Sequence, residues 1–175
     1  MSDATLQSDL AQQERARRTN EVTVLAVLAV VTMLFAAFTA SYLIRRTGTD
    51  WGHIHLPSLV WVTTVVLALS SGTLELARKG RRGGWLGMTL ALGLTFVVLQ
   101  VLAWQSLAAD GVFAASHPHS AFYYMLTGVH AVHVIGGIGA LLVATKRPAF
   151  VGLCALYWHF VGLVWVWVLL VLKFL

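Results

Sequence analysis

The chain has 175 residues, 58% of them hydrophobic and 11% charged, with a formal charge of +5. That composition excludes an ordinary soluble domain, and the basic excess forms no aromatic-interleaved face, so no nucleic-acid partner is expected. The single cysteine, Cys154, excludes an internal disulfide and any cysteine-held iron–sulfur or zinc centre.

The first 21 residues are polar and read as a cytoplasmic tail without regular structure, although Leu6 and Leu10 could dock a short surface helix. Five apolar runs follow: Val22 to Ile44, Ser58 to Leu74, Trp85 to Ala109, Ala121 to Thr145 and Pro148 to Leu172. Each is near or above the ~20 residues that cross a bilayer core as a helix. The first is too long for a leader and lacks a small-residue cleavage site, so it is expected to stay attached as a span. None alternates as a barrel strand would, and only a helix satisfies its backbone in lipid over such lengths. The expected fold is an all-α integral membrane protein, one bundle of five transmembrane helices at about 22–44, 57–77, 85–108, 121–144 and 149–172. Residues 22–175 would form this membrane domain.

Orientation follows from lysine and arginine in the short connections. Arg15, Arg17 and Arg18 precede the first span; Arg78, Lys79, Arg81 and Arg82 lie in the second connection; Lys146 and Arg147 lie in the fourth. The other side carries only Arg45, Arg46 and Lys173. The N-terminus is therefore expected in the cytoplasm and the C-terminus outside.

Polar residues inside spans are the candidates for chemistry, because ionisable groups in a membrane are costly and usually have a packing or functional reason. His130 and His133 are three apart on span four, and His159 follows in Tyr157-Trp158-His159-Phe160-Val161-Gly162-Leu163-Val164-Trp165. Antiparallel neighbours would bring the three histidines near one depth. They read either as ligands of a b-type haem or copper, or as hydrogen-bonded groups that lock two helices together. Gln100 and Trp104 share a face of span three. Thr63, Thr64, Ser70, Ser71 and Thr73 cluster in span two, where hydroxyls bond back one turn or across helices. His53, His55, His117 and His119 occupy external loops, as a zinc site or as loop cover. Gly128, Gly136 and Ala140 form a small-residue stripe, with Gly137 beside it, for close helix approach. There is no Walker-type glycine loop, nucleophile elbow or haem-attachment CxxCH, and no catalytic, cofactor-binding or metal-binding residue is assigned.

After the tail, nearly the whole chain resembles subunit III of the haem-copper oxidases (cytochrome c oxidase subunit 3) in its five-helix bacterial form. Five landmarks carry the resemblance in order: Phe35 to Arg45 with Tyr42, Leu56-Pro57 followed by Ser70 to Thr73, Phe96 to Trp104 with Gln100, Phe122-Tyr123 through His133-Val134 and Gly136, and Tyr157 to Trp165. The resemblance implies an accessory, non-catalytic subunit of a terminal oxidase in a bacterial inner membrane. The subunit would belong to a proton-translocating oxidoreductase complex of aerobic respiratory electron transport. It implies no redox centre in this chain, haem and copper in the partner subunits, and a large catalytic subunit I and a copper-bearing subunit II as partners. It also implies bound phospholipid in a cleft lined partly by spans one and three to five. Candidate lipid or interhelix contacts are Tyr42, Arg45, Arg46, Gln100, Trp104, His130, His133, Trp158 and His159.

Three acids common in the family are missing. Their places, near Val31 and Thr32, at Ala103 and at Gly162, hold no carboxylate. A proton-gathering role for buried acids therefore does not carry over, and His130, His133 and His159 are expected to have no intramembrane carboxylate in this chain. Alternatives are a subunit of similar form in a nitric oxide reductase or a quinol oxidase, and, from a different class, a haem b-binding membrane cytochrome.

Overall fold

The computed structural model describes residues 3–52, 56–80 and 82–175. Five α-helices appear in chain order: α1 Asp3–Arg45, α2 Leu59–Arg78, α3 Arg82–Ala109, α4 Pro118–Lys146 and α5 Val151–Phe174. A 3-10 turn, Pro148–Phe150, leads into α5. All five helices are long and apolar enough to cross a membrane, and the protein is a multi-pass membrane protein of all-α class. Apolar composition over such lengths leaves the backbone no partner but itself, which is why each run becomes a helix.

Two compact units divide the chain, Met1–Leu34 and Phe35–Leu175. In the first, the expected irregular tail is instead helical from Asp3. Its residues are mostly good helix formers, an exposed ion pair joins Arg17 to Glu21 at 2.9 Å, and Thr19 bonds back to the Arg15 carbonyl. Leu10 is exposed, so no docked face forms there within this unit.

In the second unit α2 packs on α3, α3 on α4, α4 on α5 and α5 on α2, closing a ring of four helices. The stretch of α1 from Phe35 onward reaches α4 and α5 through large side chains, with Phe35 against His130 and His133 and Trp167 Nε1 donating to Thr39 Oγ1. Helix ends follow local chemistry. Gly80 and Gly111 hold positive φ, 99° and 76°, just past the ends of α2 and α3, where other residues would be strained. Pro118 opens α4, where its missing N–H costs nothing, so the helix begins ahead of the expected residue 121. The Ser120 hydroxyl accepts from the His117 N–H at 3.1 Å and fixes that start.

The small-residue stripe requires a correction. A side chain at Gly128 would meet nothing within 4 Å, and one at Gly136 only the Tyr157 hydroxyl at 3.8 Å. Close approach belongs to Gly137 and to Gly93 of α3, where a Cβ would fall 3.0 Å and 2.8 Å from the Trp158 ring. The reason is directional: Gly128 faces open space and Gly136 only the tip of Tyr157, whereas Gly137 is buried under the indole.

Candidate functional site: a tryptophan and histidine core

The hydroxyls of α2 do two jobs at once. Thr64 donates to the Val60 carbonyl and Ser70 to the Leu67 carbonyl, which leaves their oxygens free to accept. Both then accept from α5: Trp165 Nε1 to Thr64 Oγ1 at 3.0 Å, and Trp158 Nε1 to Ser70 Oγ at 2.9 Å. In lipid an indole N–H must find such a partner, and helix contacts gain from these bonds because the solvent adds no hydrophobic drive. Trp158 is 1% exposed, so it is a helix-to-helix contact and not a lipid contact within this chain. The Thr73 and Thr89 hydroxyls meet at 2.8 Å between α2 and α3, where either can donate to the other.

His130 lies at the centre of the bundle, fully buried. Its ring is 4.9 Å from Trp165, 5.7 Å from Phe96 and 6.5 Å from Phe35, centroid to centroid. Gln100 is also fully buried, one turn from Phe96 and one from Trp104, so the shared face read from the sequence is real. Trp104 Nε1 donates to Thr127 Oγ1 at 3.0 Å, tying α3 to α4. His133 is half-buried, with Nδ1 2.7 Å from the Val129 carbonyl of its own helix, and Tyr157 donates to the His133 carbonyl at 3.1 Å.

The three histidines do not converge. His130 packs at the level of Trp165, and His159 stands six residues earlier on α5, about 9 Å along the axis. His159 faces α2, where its Nε2 is 3.9 Å from Glu75 Oε2. The sequence expectation concerned carboxylates inside the membrane; the acid that approaches His159 is Glu75, close to the end of α2. Glu75 comes from a different helix, and spacing along one helix could not reveal the pairing. No group of three metal-ligating side chains occurs among the described residues.

Glu75 is held by two hydrogen bonds from Arg78, at 2.7 and 2.8 Å, with Lys79 at 3.9 Å. A carbodiimide needs a protonated carboxyl, and this one sits in a cation-rich pair. A lipid-soluble carbodiimide should leave the subunit unlabelled at neutral pH by mass spectrometry. Stoichiometric modification at Glu75 would contradict the ion-paired geometry.

At the opposite end Tyr42 is buried in an aromatic cluster, 5.0 Å from Trp51, 6.0 Å from His119 and 5.4 Å from Phe122. Trp51 stacks on His119 at 5.2 Å with 16° between planes. Gly52 lies so close to His117 that a Cβ would meet the imidazole at 2.7 Å. These contacts make His117 and His119 a cover over the end of the bundle; His53 and His55 lie outside the described residues. Arg45 is exposed and pairs with Asp50 through two bonds, Nη1 to Oδ1 at 2.8 Å and Nη2 to Oδ2. The guanidinium beside it holds the Asp50 carboxyl below the usual carboxylate range, so the link is complete at neutral pH and is lost only as the pH falls through that lowered value. Arg46 is exposed beside Tyr42.

Sequence reading missed Glu75 as a partner of His159, Gly93 as the seat of Trp158, and Trp51. The only advance signal for Gly93 was its small size on a helix expected to pack.

No protein-family model matches the chain. Among curated proteins it is 30% identical to the "Probable cytochrome c oxidase subunit 3" of Mycobacterium tuberculosis, over the full length of both. It is 31% identical to the cytochrome c oxidase subunit 3 of Alkalihalophilus pseudofirmus, across 78% of this chain and 77% of that one. The subunit 3 of the cytochrome bo(3) ubiquinol oxidase of Pseudomonas aeruginosa is 31% identical across 77% of this chain and 74% of its own. This five-helix membrane chain belongs to the haem-copper oxidase subunit III family, that of cytochrome c oxidase subunit 3.

Proposed function

We propose that the protein is an accessory, non-catalytic subunit of a bacterial terminal oxidase, seated in the cytoplasmic (inner) membrane beside a large catalytic subunit I and a copper-bearing subunit II. The observation that carries this reading is family membership over the length of the chain, with relatives designated as oxidase subunit 3. Those relatives include subunits of both cytochrome c and ubiquinol oxidases, so either donor fits. The packing of His130 supports the accessory reading over a haem-binding cytochrome. A haem bound there would have to displace Trp165 and Phe96, which close on the imidazole.

The reading includes phospholipid contact. An open recess of about 560 Å³ between the end of α1 and the start of α4 is lined by Ser41, Ile44, Arg45, Pro118, Ala121 and Phe122. Its apolar walls suit an acyl chain, and Arg45 at the rim suits a phosphate.

The test is removal of this subunit from the complex. The haem and copper spectra of the partners should survive, the initial oxygen-reduction rate should stay close to that of the intact complex, and activity should decay faster during sustained turnover. Immediate loss of a haem signal would contradict the reading.

Orientation has its own check. With Cys154 replaced, a cysteine at Gly80 should label only from the cytoplasm and one at Ala109 only from outside. Equal labelling of both from outside would overturn the N-in, C-out arrangement.

A further inference from the structure

Three fully buried side chains at the α3–α4 contact hold polar atoms without a hydrogen-bond partner among the described residues: Gln100 Oε1 and Nε2, the Tyr123 hydroxyl, and both ring nitrogens of His130. Leaving such groups unmet inside a protein costs about 1–3 kcal/mol each, and native interiors rarely do so. A helix bundle in lipid has still less cause to carry them, because apolar residues of the same size would fit.

The three groups lie along one stretch of the α3–α4 contact. Phe96 of α3 touches His130 of α4, and Trp104 of α3 bonds Thr127 of α4. Gln100 lies one turn from each of these α3 residues, so it sits level with the gap between the two cross-contacts. Side chains lean toward the N-terminus of their own helix, and these helices are antiparallel. Gln100 and His130 therefore lean toward each other. Tyr123 stands on the other side of Thr127, and its hydroxyl interacts with the Gln100 side chain without the geometry of a full hydrogen bond. Thr127 has no proton left to give to the set. Its hydroxyl already donates to the Tyr123 carbonyl at 2.6 Å and accepts from Trp104.

We propose that this juncture is an internal water site, in which ordered water links the His130 imidazole to the Gln100 amide and the Tyr123 hydroxyl. Water fits the chemistry of the donor set. A buried water makes about three hydrogen bonds and needs two to four polar partners. Here an amide with donor and acceptor ends, a hydroxyl and an imidazole face it. A metal ion fits poorly, since no group of three metal-ligating side chains occurs among the described residues. Partner subunits cannot reach these atoms, which are enclosed by this chain. Aromatic walls at Phe96 and Trp165 seal the site from lipid, so the water is part of the subunit's core.

The inference stands apart from the oxidase reading and is tested on the subunit in whatever native complex it purifies with. A density map that resolves solvent should place a water about 2.7–3.2 Å from a His130 nitrogen and from Gln100 or Tyr123. A map in which Gln100 bonds Tyr123 directly, with no solvent density at His130, would overturn it. Variants give a second readout. Gln100→Leu, Tyr123→Phe and His130→Phe should each lower the melting temperature of the complex, because each leaves the remaining groups and the water short of a bond. The triple variant should lose less than the sum of the three, since it removes the demand altogether. Losses that simply add would mean three independent groups and would overturn the shared site. The map alone decides where the triple variant does not assemble.

Discussion

Trp158→Ala should destabilise the subunit by about 3 kcal/mol, within the range for removing a large aromatic from a packed core. The indole fills the space between Gly93 and Gly137 and bonds Ser70, so its loss opens a cavity and strands a hydroxyl acceptor at the same contact. Because lipid replaces water around the bundle, most of the loss comes from packing and the hydrogen bond, with little from transfer. Fluorescence-detected size exclusion after a heat step should show the variant released from its complex at lower temperature than the parent. Trp158→Phe keeps part of the ring but not the N–H, and should fall between the two.

Gly93→Leu should be nearly as damaging for the opposite reason. The first atom of any side chain there already falls 2.8 Å from the six-membered ring of Trp158 and 3.3 Å from Ile138, and leucine adds three more carbons. Overpacking of this kind costs about 1–3 kcal/mol or more. The clash has a specific remedy. Trp158→Phe withdraws the far ring atoms that Gly93 faces, so the double variant should be more stable than Gly93→Leu alone, measured by the same heat release. No rescue would mean that the indole is not what excludes a side chain at Gly93. Gly128→Leu, on a face with open space, should be tolerated within this chain.

The contrast between Gly93 and Gly128 marks where sequence reading stops. The five spans, their order and the landmark residues were legible because membrane helices declare themselves by uninterrupted apolar length, and the observed bounds of α2 and α3 lie within a few residues of those expected. The shared face of Gln100 and Trp104 was legible because it depends on spacing along one helix. The seat of Trp158, the Glu75–His159 pair and the stacking of Trp51 on His119 were not, because each joins residues from separate elements and depends on how those elements are placed. The helical N-terminal segment was missed because its polar residues offer no burial; its helix is continuous with the first span and carries the exposed Arg17–Glu21 pair. The histidines show both sides. Their presence in the spans was plain, but their separation into a buried, a half-buried and an exposed position follows only from packing.

The most direct test of the accessory-subunit reading is purification through an affinity tag on this chain in mild detergent, with mass spectrometry of the co-purifying chains and a reduced-minus-oxidised spectrum. A large polytopic subunit and a copper-bearing subunit should co-purify, haem absorbance should track the large subunit, and the chain isolated from them should show none. A stoichiometric b-type haem spectrum from the isolated chain, or a complex without oxidase subunits, would contradict the account.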